Sequence, residues 1–146
     1  MWNDRKSLGL SKCCVVLFMA MLVACAIYAP SEGALMLRIM SDGRRAFFLA
    51  TVYVGCLPAA VLLVLLYVLL HRIGAGKVFV SENTECLRRI SWCCFAGALI
   101  SLASSFYWIA WFAVGVSAAF MGLIVRVIKN VVAKAVSLQD DADYTI

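Results

Sequence analysis

Long runs without a charged residue dominate this chain, and the polar stretches between them are short. Cys13 to Ala29 (CCVVLFMAMLVACAIYA) holds 17 uncharged residues and is closed by Pro30. At 1.5 Å per residue this makes about 26 Å of helix, enough to cross a hydrocarbon layer of about 30 Å once flanking side chains reach the interface. Ala46 to Leu70 gives 25 more, with Pro58 at its middle. A proline there removes a backbone hydrogen bond and predicts a kink near Val54. Ile90 to Val125 is uncharged for 36 residues. One straight helix of that length would measure about 54 Å, nearly twice the hydrocarbon thickness, so two helices with a tight turn are expected. Trp and Tyr concentrate at the membrane–water boundary, which puts the break at Phe106 to Trp111 (FYWIAW). The expected spans are about 13–29, 46–70, 88–106 and 111–128.

The polar stretches refine this layout. A basic leader, Met1 to Lys12, precedes the first span, and Pro30 to Arg45 forms the first external loop. Within that loop Ala34 to Met40 reads as one or two helical turns in the interface, and Ser41-Asp42-Gly43 as a turn. The longest interruption, His71 to Arg89 (HRIGAGKVFVSENTECLRR), contains the connector 71–87. Ser81 is the expected N-cap of the next helix, with Glu82 and Glu85 in its first turn, where the helix dipole favours acids. Leu87, Ile90 and Cys94 then carry an apolar face into the bilayer. The last span is expected to leave the membrane without stopping. From Arg126 to Leu138, Arg126, Asn130 and Lys134 recur at i, i+4, i+8 with Lys129 beside them, and Val127, Ile128, Val131, Val132, Ala135 and Val136 fill the other side. The acidic run Gln139 to Asp143, with Asp141 and Asp143, is expected to end that helix within the tail 129–146. The fold class is therefore all-α: a polytopic membrane protein of one domain, a bundle of four transmembrane helices with a cytoplasmic extension of the last.

Composition agrees, with 65% hydrophobic and only 14% charged residues. The net charge of +5 does not point to direct nucleic-acid binding, because the Lys and Arg residues flank apolar runs, where they orient helices and meet anionic headgroups. With four spans, the leader, the connector and the C-terminal segment share ten of the thirteen Lys and Arg, and the first external loop holds the other three. That bias puts both termini and the connector in the cytoplasm of a multi-pass protein of the cell (inner) membrane. The first run also has the basic start and apolar core of a secretory signal. Ala24-Cys25-Ala26 fits a cleavage site and Leu22-Val23-Ala24-Cys25 a lipidation box at Cys25. It is read as a retained helix, since 17 apolar residues exceed the usual core of a signal.

Chemistry is sparse. In this topology none of the seven cysteines lies in an external loop, which argues against a disulfide framework. Apart from Arg88, Arg89 and Arg126 at span ends, no charged residue or His lies inside a span, which argues against charge-coupled transport and leaves a passive pore open. Gly74-Ala75-Gly76-Lys77 has the wrong spacing for a phosphate-binding loop, and Val78 stands where Ser or Thr would hold magnesium. Cys86 and His71 form the only thiol–imidazole candidate, without an evident third group to orient them. Cys13-Cys14 and Cys93-Cys94 lack C-x-x-C spacing. The reading is non-enzymatic, with no cofactor and no metal. Small residues recur at helical spacing in Gly97/Ser101/Ser105, Gly115/Ala119, Ala118/Gly122 and Gly55/Ala59, which could close the bundle or form a homodimer face.

Val78-Phe79-Val80-Ser81-Glu82-Asn83 followed by Leu87-Arg88-Arg89-Ile90 resembles the central motif of the bacterial domain-of-unknown-function family 2975. The tail Ala135-Val136-x-Leu138 through Asp143-Tyr144-Thr145-Ile146 resembles that family's ending, with Ala142 replacing its Asn and Tyr144 its Leu. The resemblance implies a small four-helix membrane protein without an established activity. It also implies a partner, since genes of such proteins often neighbour a helix-turn-helix regulator. The expected partner surface comprises Phe79, Ser81, Glu82, Asn83, Arg88, Arg89, Arg126, Lys129, Lys134, Asp141 and Asp143. The expected function is a membrane-bound partner of a cytoplasmic DNA-binding regulator, and the alternative is a small oligomeric channel or exporter.

Overall fold

A computed structural model describes residues 4–37 and 42–144, with side chains from 5 to 31 and from 42 onward. The chain forms four helices, α1 (Asp4–Leu37), α2 (Asp42–Gly74), α3 (Ser81–Ser104) and α4 (Ala110–Tyr144), with no strand among the described residues. All four are long and apolar enough to cross a membrane. The fold is all-α and polytopic. Successive helices run antiparallel, and their backbones approach in chain order: α1 on α2, α2 on α3, α3 on α4. One end of the molecule gathers the start of α1, the 75–80 connector and the end of α4. The other holds the α3–α4 turn at 105–109, which overlaps the expected break at Phe106–Trp111.

α3 is the centre. Its buried residues recur every three or four positions from Asn83 to Ser104, so one broad face meets both neighbours. Towards the connector end Leu69, Cys86, Leu87, Ile90 and Cys94 form the core, covered by Leu62, Leu65 and Leu66 of α2 and by Val125 and Val132 of α4. The α3–α4 seam is close because two glycines lie on it. A Cβ at Gly115 would meet Leu102 Cγ at 2.7 Å, and one at Gly122 would meet Phe95 at 3.1 Å and Cys94 at 3.2 Å. Ser91 Oγ donates to the Gly122 carbonyl at 3.2 Å in the same buried strip. These contacts follow the rule for helices in lipid, where small residues permit approach and short polar side chains bond across. At Gly55 and Gly97 an added Cβ would meet nothing within 4 Å.

α1 and α4 run past the ends the sequence predicts. α1 does not stop at Pro30 but continues to Leu37, so most of the expected interfacial turns at Ala34–Met40 belong to α1. Met40 and Ser41 lie outside the described residues. Pro30 has no N–H to give the Ala26 carbonyl, and Tyr53 Oη of α2 donates to that carbonyl instead, at 3.1 Å. An α2 side chain thus fills the gap the proline leaves. α4 likewise runs through the acidic segment to Tyr144 instead of ending there. Neither Gly nor Pro interrupts Arg126 to Tyr144, and each exposed Asp costs a helix less than about 0.7 kcal/mol. Thr145 and Ile146 lie outside the described residues.

Candidate functional site

The connector end concentrates the polar chemistry. α2 closes with a left-handed residue, Gly76, at φ 84°. Lys77 N–H returns to the Arg72 carbonyl and Gly76 N–H to the Ile73 carbonyl, both at 3.1 Å, which is the Schellman arrangement of a helix C-cap. The Gly-Ala-Gly-Lys stretch is therefore a helix stop. Its amides at 75–77 are occupied by helix carbonyls, not turned outward to a phosphate.

Asn83 secures the rest of the connector. It is 2% exposed, and its Nδ2 donates to the Lys77 carbonyl at 2.7 Å and the Val78 carbonyl at 2.9 Å. These bonds fix the connector against the first turn of α3. Ser81 is not the N-cap: Val80 occupies that position in an extended conformation, and no side chain caps the helix. With the cap one residue earlier, Glu82 stays in the first turn and Glu85 falls beyond it. Glu85 instead pairs with Arg88 at 3.5 Å and Arg89 at 3.4 Å, while Glu82 reaches Arg72 of α2 at 3.6 Å.

The expected partner surface is thereby divided. Phe79, Ser81, Glu82, Arg88 and Arg89 are exposed around the connector. Asn83 is buried beneath them and holds the loop, so its side chain is not on that surface. Arg126, Lys134, Asp141 and Asp143 are exposed along α4, and Lys129 is half-buried. Val132 of α4 packs on the core that includes Cys86 and Leu87, so the start of α3 and the far part of α4 form one continuous body. Beside Lys134, Val127, Val131 and Leu138 remain more than 60% exposed. Cys86 and His71 are not brought together. Cys86 is buried with Sγ donating to the Leu65 carbonyl at 3.3 Å, and His71 is exposed. Among the described residues no three His, Cys, Asp or Glu side chains converge as a metal set.

The hairpin end has a polar cluster that sequence reasoning missed. Tyr107 Oη donates to Thr51 Oγ1 at 2.8 Å, Thr51 Oγ1 lies 2.9 Å from Ser104 Oγ, and Ser104 Oγ donates to the Ile100 carbonyl at 2.7 Å. Thr51 Oγ1 also has the Phe47 carbonyl at 2.9 Å, so its single proton serves either that carbonyl or Ser104 Oγ while it accepts from Tyr107. Around it Phe47 stacks on Tyr107, and Phe48 faces Trp108 and Trp111 at 5.8 and 6.0 Å. The FYWIAW aromatics thus clasp α2 as well as marking a helix break. Thr51, five residues into the second apolar run, was the available signal.

The family DUF2975, described as a protein of unknown function, matches residues 40–146. The chain belongs to the DUF2975 family. The match takes in α2, the connector, α3 and α4, including both motif segments that suggested the resemblance. No curated protein and no solved structure shows detectable similarity to the chain.

Proposed function

We propose that this DUF2975 member is a non-enzymatic membrane partner protein whose connector and α4 extension together dock a cytoplasmic protein, with a DNA-binding regulator as the expected class. The observation that carries the reading is the shared body at the connector end. Exposed Phe79, Arg88 and Arg89 sit on the same packed unit as the α4 segment bearing Val131 and Leu138. α4 spans 35 residues, about 52 Å against a hydrocarbon thickness of about 30 Å, so several turns extend beyond the bilayer. An unbroken continuation of a membrane span projects away from the membrane, which leaves an apolar stripe in water unless a protein covers it. The ten basic residues of the leader, connector and tail orient that end towards the cytoplasm.

The test is crosslinking in intact membranes followed by co-purification. Val131→Ser with Leu138→Ser, and separately Phe79→Ser, change exposed positions, so thermal stability should hold while partner recovery falls. Full recovery with all of these variants would defeat the reading. A second reading, an oligomeric pore, is favoured by the open space at Gly55 and Gly97, where a second copy could approach. Solute flux in proteoliposomes distinguishes it, since the docking reading expects none.

A further inference from the structure

At the connector end α2 and α3 diverge around a notch of about 250 Å³. Its floor is apolar, from Leu65 and Val68, which share a helix face with Arg72 at i, i+3 and i+7. Its rim is charged, with Arg72 on one side and Glu82, Glu85 and Arg89 on the other. Two guanidiniums and two carboxylates thus surround a space whose interior is hydrocarbon-like. Val61, one turn before Leu65 on α2, and Trp92, one turn after Arg89 on α3, are both exposed. A notch graded from charge to hydrocarbon along the axis of a membrane-spanning helix suits an amphiphile held at the interface.

The charge pattern narrows the ligand. The ion pairs around the notch are loose, at 3.4 to 3.6 Å, and their side chains are 33% to 71% exposed. Such pairs contribute little and rearrange at small cost. Each guanidinium has five N–H donors, so Arg72 and Arg89 keep capacity for phosphate oxygens, which they bind in a planar fork. A purely anionic headgroup would satisfy the two arginines but take Arg72 from Glu82 and leave Glu85 with Arg88 alone. A headgroup carrying both a phosphate and a primary ammonium leaves every charge paired. A trimethylated ammonium cannot donate hydrogen bonds to the carboxylates. We propose that this notch binds the headgroup of a zwitterionic phospholipid with a primary amine, a phosphatidylethanolamine. Arg72 and Arg89 take the phosphate, Glu82 and Glu85 take the ammonium, and the acyl chains run out over Leu65 and Val68. The site is separate from the docking reading and uses neither the α4 stripe nor Phe79.

The test titrates the detergent-solubilised full chain with phosphatidylethanolamine, phosphatidylcholine and phosphatidylglycerol of matched acyl chains, and native mass spectrometry counts the bound lipid. Phosphatidylethanolamine should bind about tenfold more tightly than either of the others, as expected for charge-assisted hydrogen bonds gained on one headgroup only. Glu82→Gln with Glu85→Gln should erase the preference over phosphatidylcholine while leaving phosphatidylcholine affinity unchanged. Arg72→Gln with Arg89→Gln should weaken all three. Equal binding of phosphatidylethanolamine and phosphatidylcholine by the unmodified chain would overturn the proposal. So would phosphatidylglycerol binding as tightly as phosphatidylethanolamine, or a preference that survives the glutamate changes. Soluble phosphoethanolamine or inorganic phosphate binding as tightly as the lipid would assign the notch to a solute and also overturn it.

Discussion

α1 is the more apolar helix and α3 the less, yet their burial runs the other way. Among the described side chains of α1 only Val15 is buried. α3 has a buried residue at nearly every turn, and these include Asn83, Ser91, Ser101 and Ser104. In water the more apolar helix would be the core. In a bilayer lipid solvates Leu and Val as well as protein does, so apolar bulk gives no preference for the interior. Small residues that allow close approach, and short polar groups that bond across helices, decide which helix is central. Among the described residues α1 meets only α2 and has one cross-helix hydrogen bond from a side chain, Tyr53 to Ala26. The family match begins at residue 40, so it covers α2, α3 and α4 and not α1.

The contrast breaks most sharply at the α3–α4 seam. Gly115→Val would force side-chain atoms into Leu102, whose backbone N lies 3.1 Å from the position of an added Cβ. Overpacking at a backbone-limited contact costs about 3 kcal/mol, and the variant should lose its thermal transition in detergent. A change to the same residue on the exposed face of α1, Ala20→Val, should leave the transition within about 0.5 kcal/mol of its original position.

Next in size is the connector. Asn83→Ala removes the donors from two carbonyls, Lys77 and Val78, and should cost about 2 kcal/mol, read as a lower midpoint and faster proteolysis between 75 and 81. Ser81→Ala should cost much less, because Ser81 makes no capping bond. A larger loss at Ser81 than at Asn83 would restore the N-cap role that the sequence suggests. On α2, Tyr53→Phe removes the donor that serves the Ala26 carbonyl of α1 below Pro30. The expected cost is about 1 kcal/mol, confined to α1. Hydrogen exchange should quicken around residues 26–31 and stay unchanged across α3. Acceleration in both helices would mean that α1 is part of the cooperative unit after all.

Much of this architecture was legible from the pattern of charged and uncharged positions. The uncharged runs correspond to the four helices, and the aromatic cluster FYWIAW marks the α3–α4 turn because a 36-residue run cannot be one span. The site was less legible for a physical reason. Whether Asn83 faces outward to a partner or inward to the connector depends on where the chain bends, and that bend is set by the positive φ of Gly76 and the hydrogen bonds around it. A cap assigned to Ser81 shifts the first turn by one residue and so misplaces Glu85. Pro30 closes the first uncharged run but not α1, because Tyr53 of another helix meets the carbonyl that the proline leaves without a donor. Such compensation is long-range, and local spacing does not carry it.

The smallest expected effect tests the part of the comparison that concerns lipid-facing surface. Gly97 lies on α3, the most buried helix, but an added Cβ there meets nothing within 4 Å. Gly97 is only half-buried, so the space beside it is open. For the monomer, Gly97→Ala should be neutral or stabilising by up to about 1 kcal/mol, since a helical glycine gives up more chain entropy than alanine. Gly115→Ala, one helix away, should do the opposite because its space is occupied. Midpoints are measured both in dilute detergent and after reconstitution at high protein density. If Gly97→Ala becomes destabilising only at high density, the open strip is filled by a second copy, and the small residues of α3 serve assembly as well as the α3–α4 seam. If it is neutral in both, α3 meets its protein neighbours on one face alone and lipid covers the other.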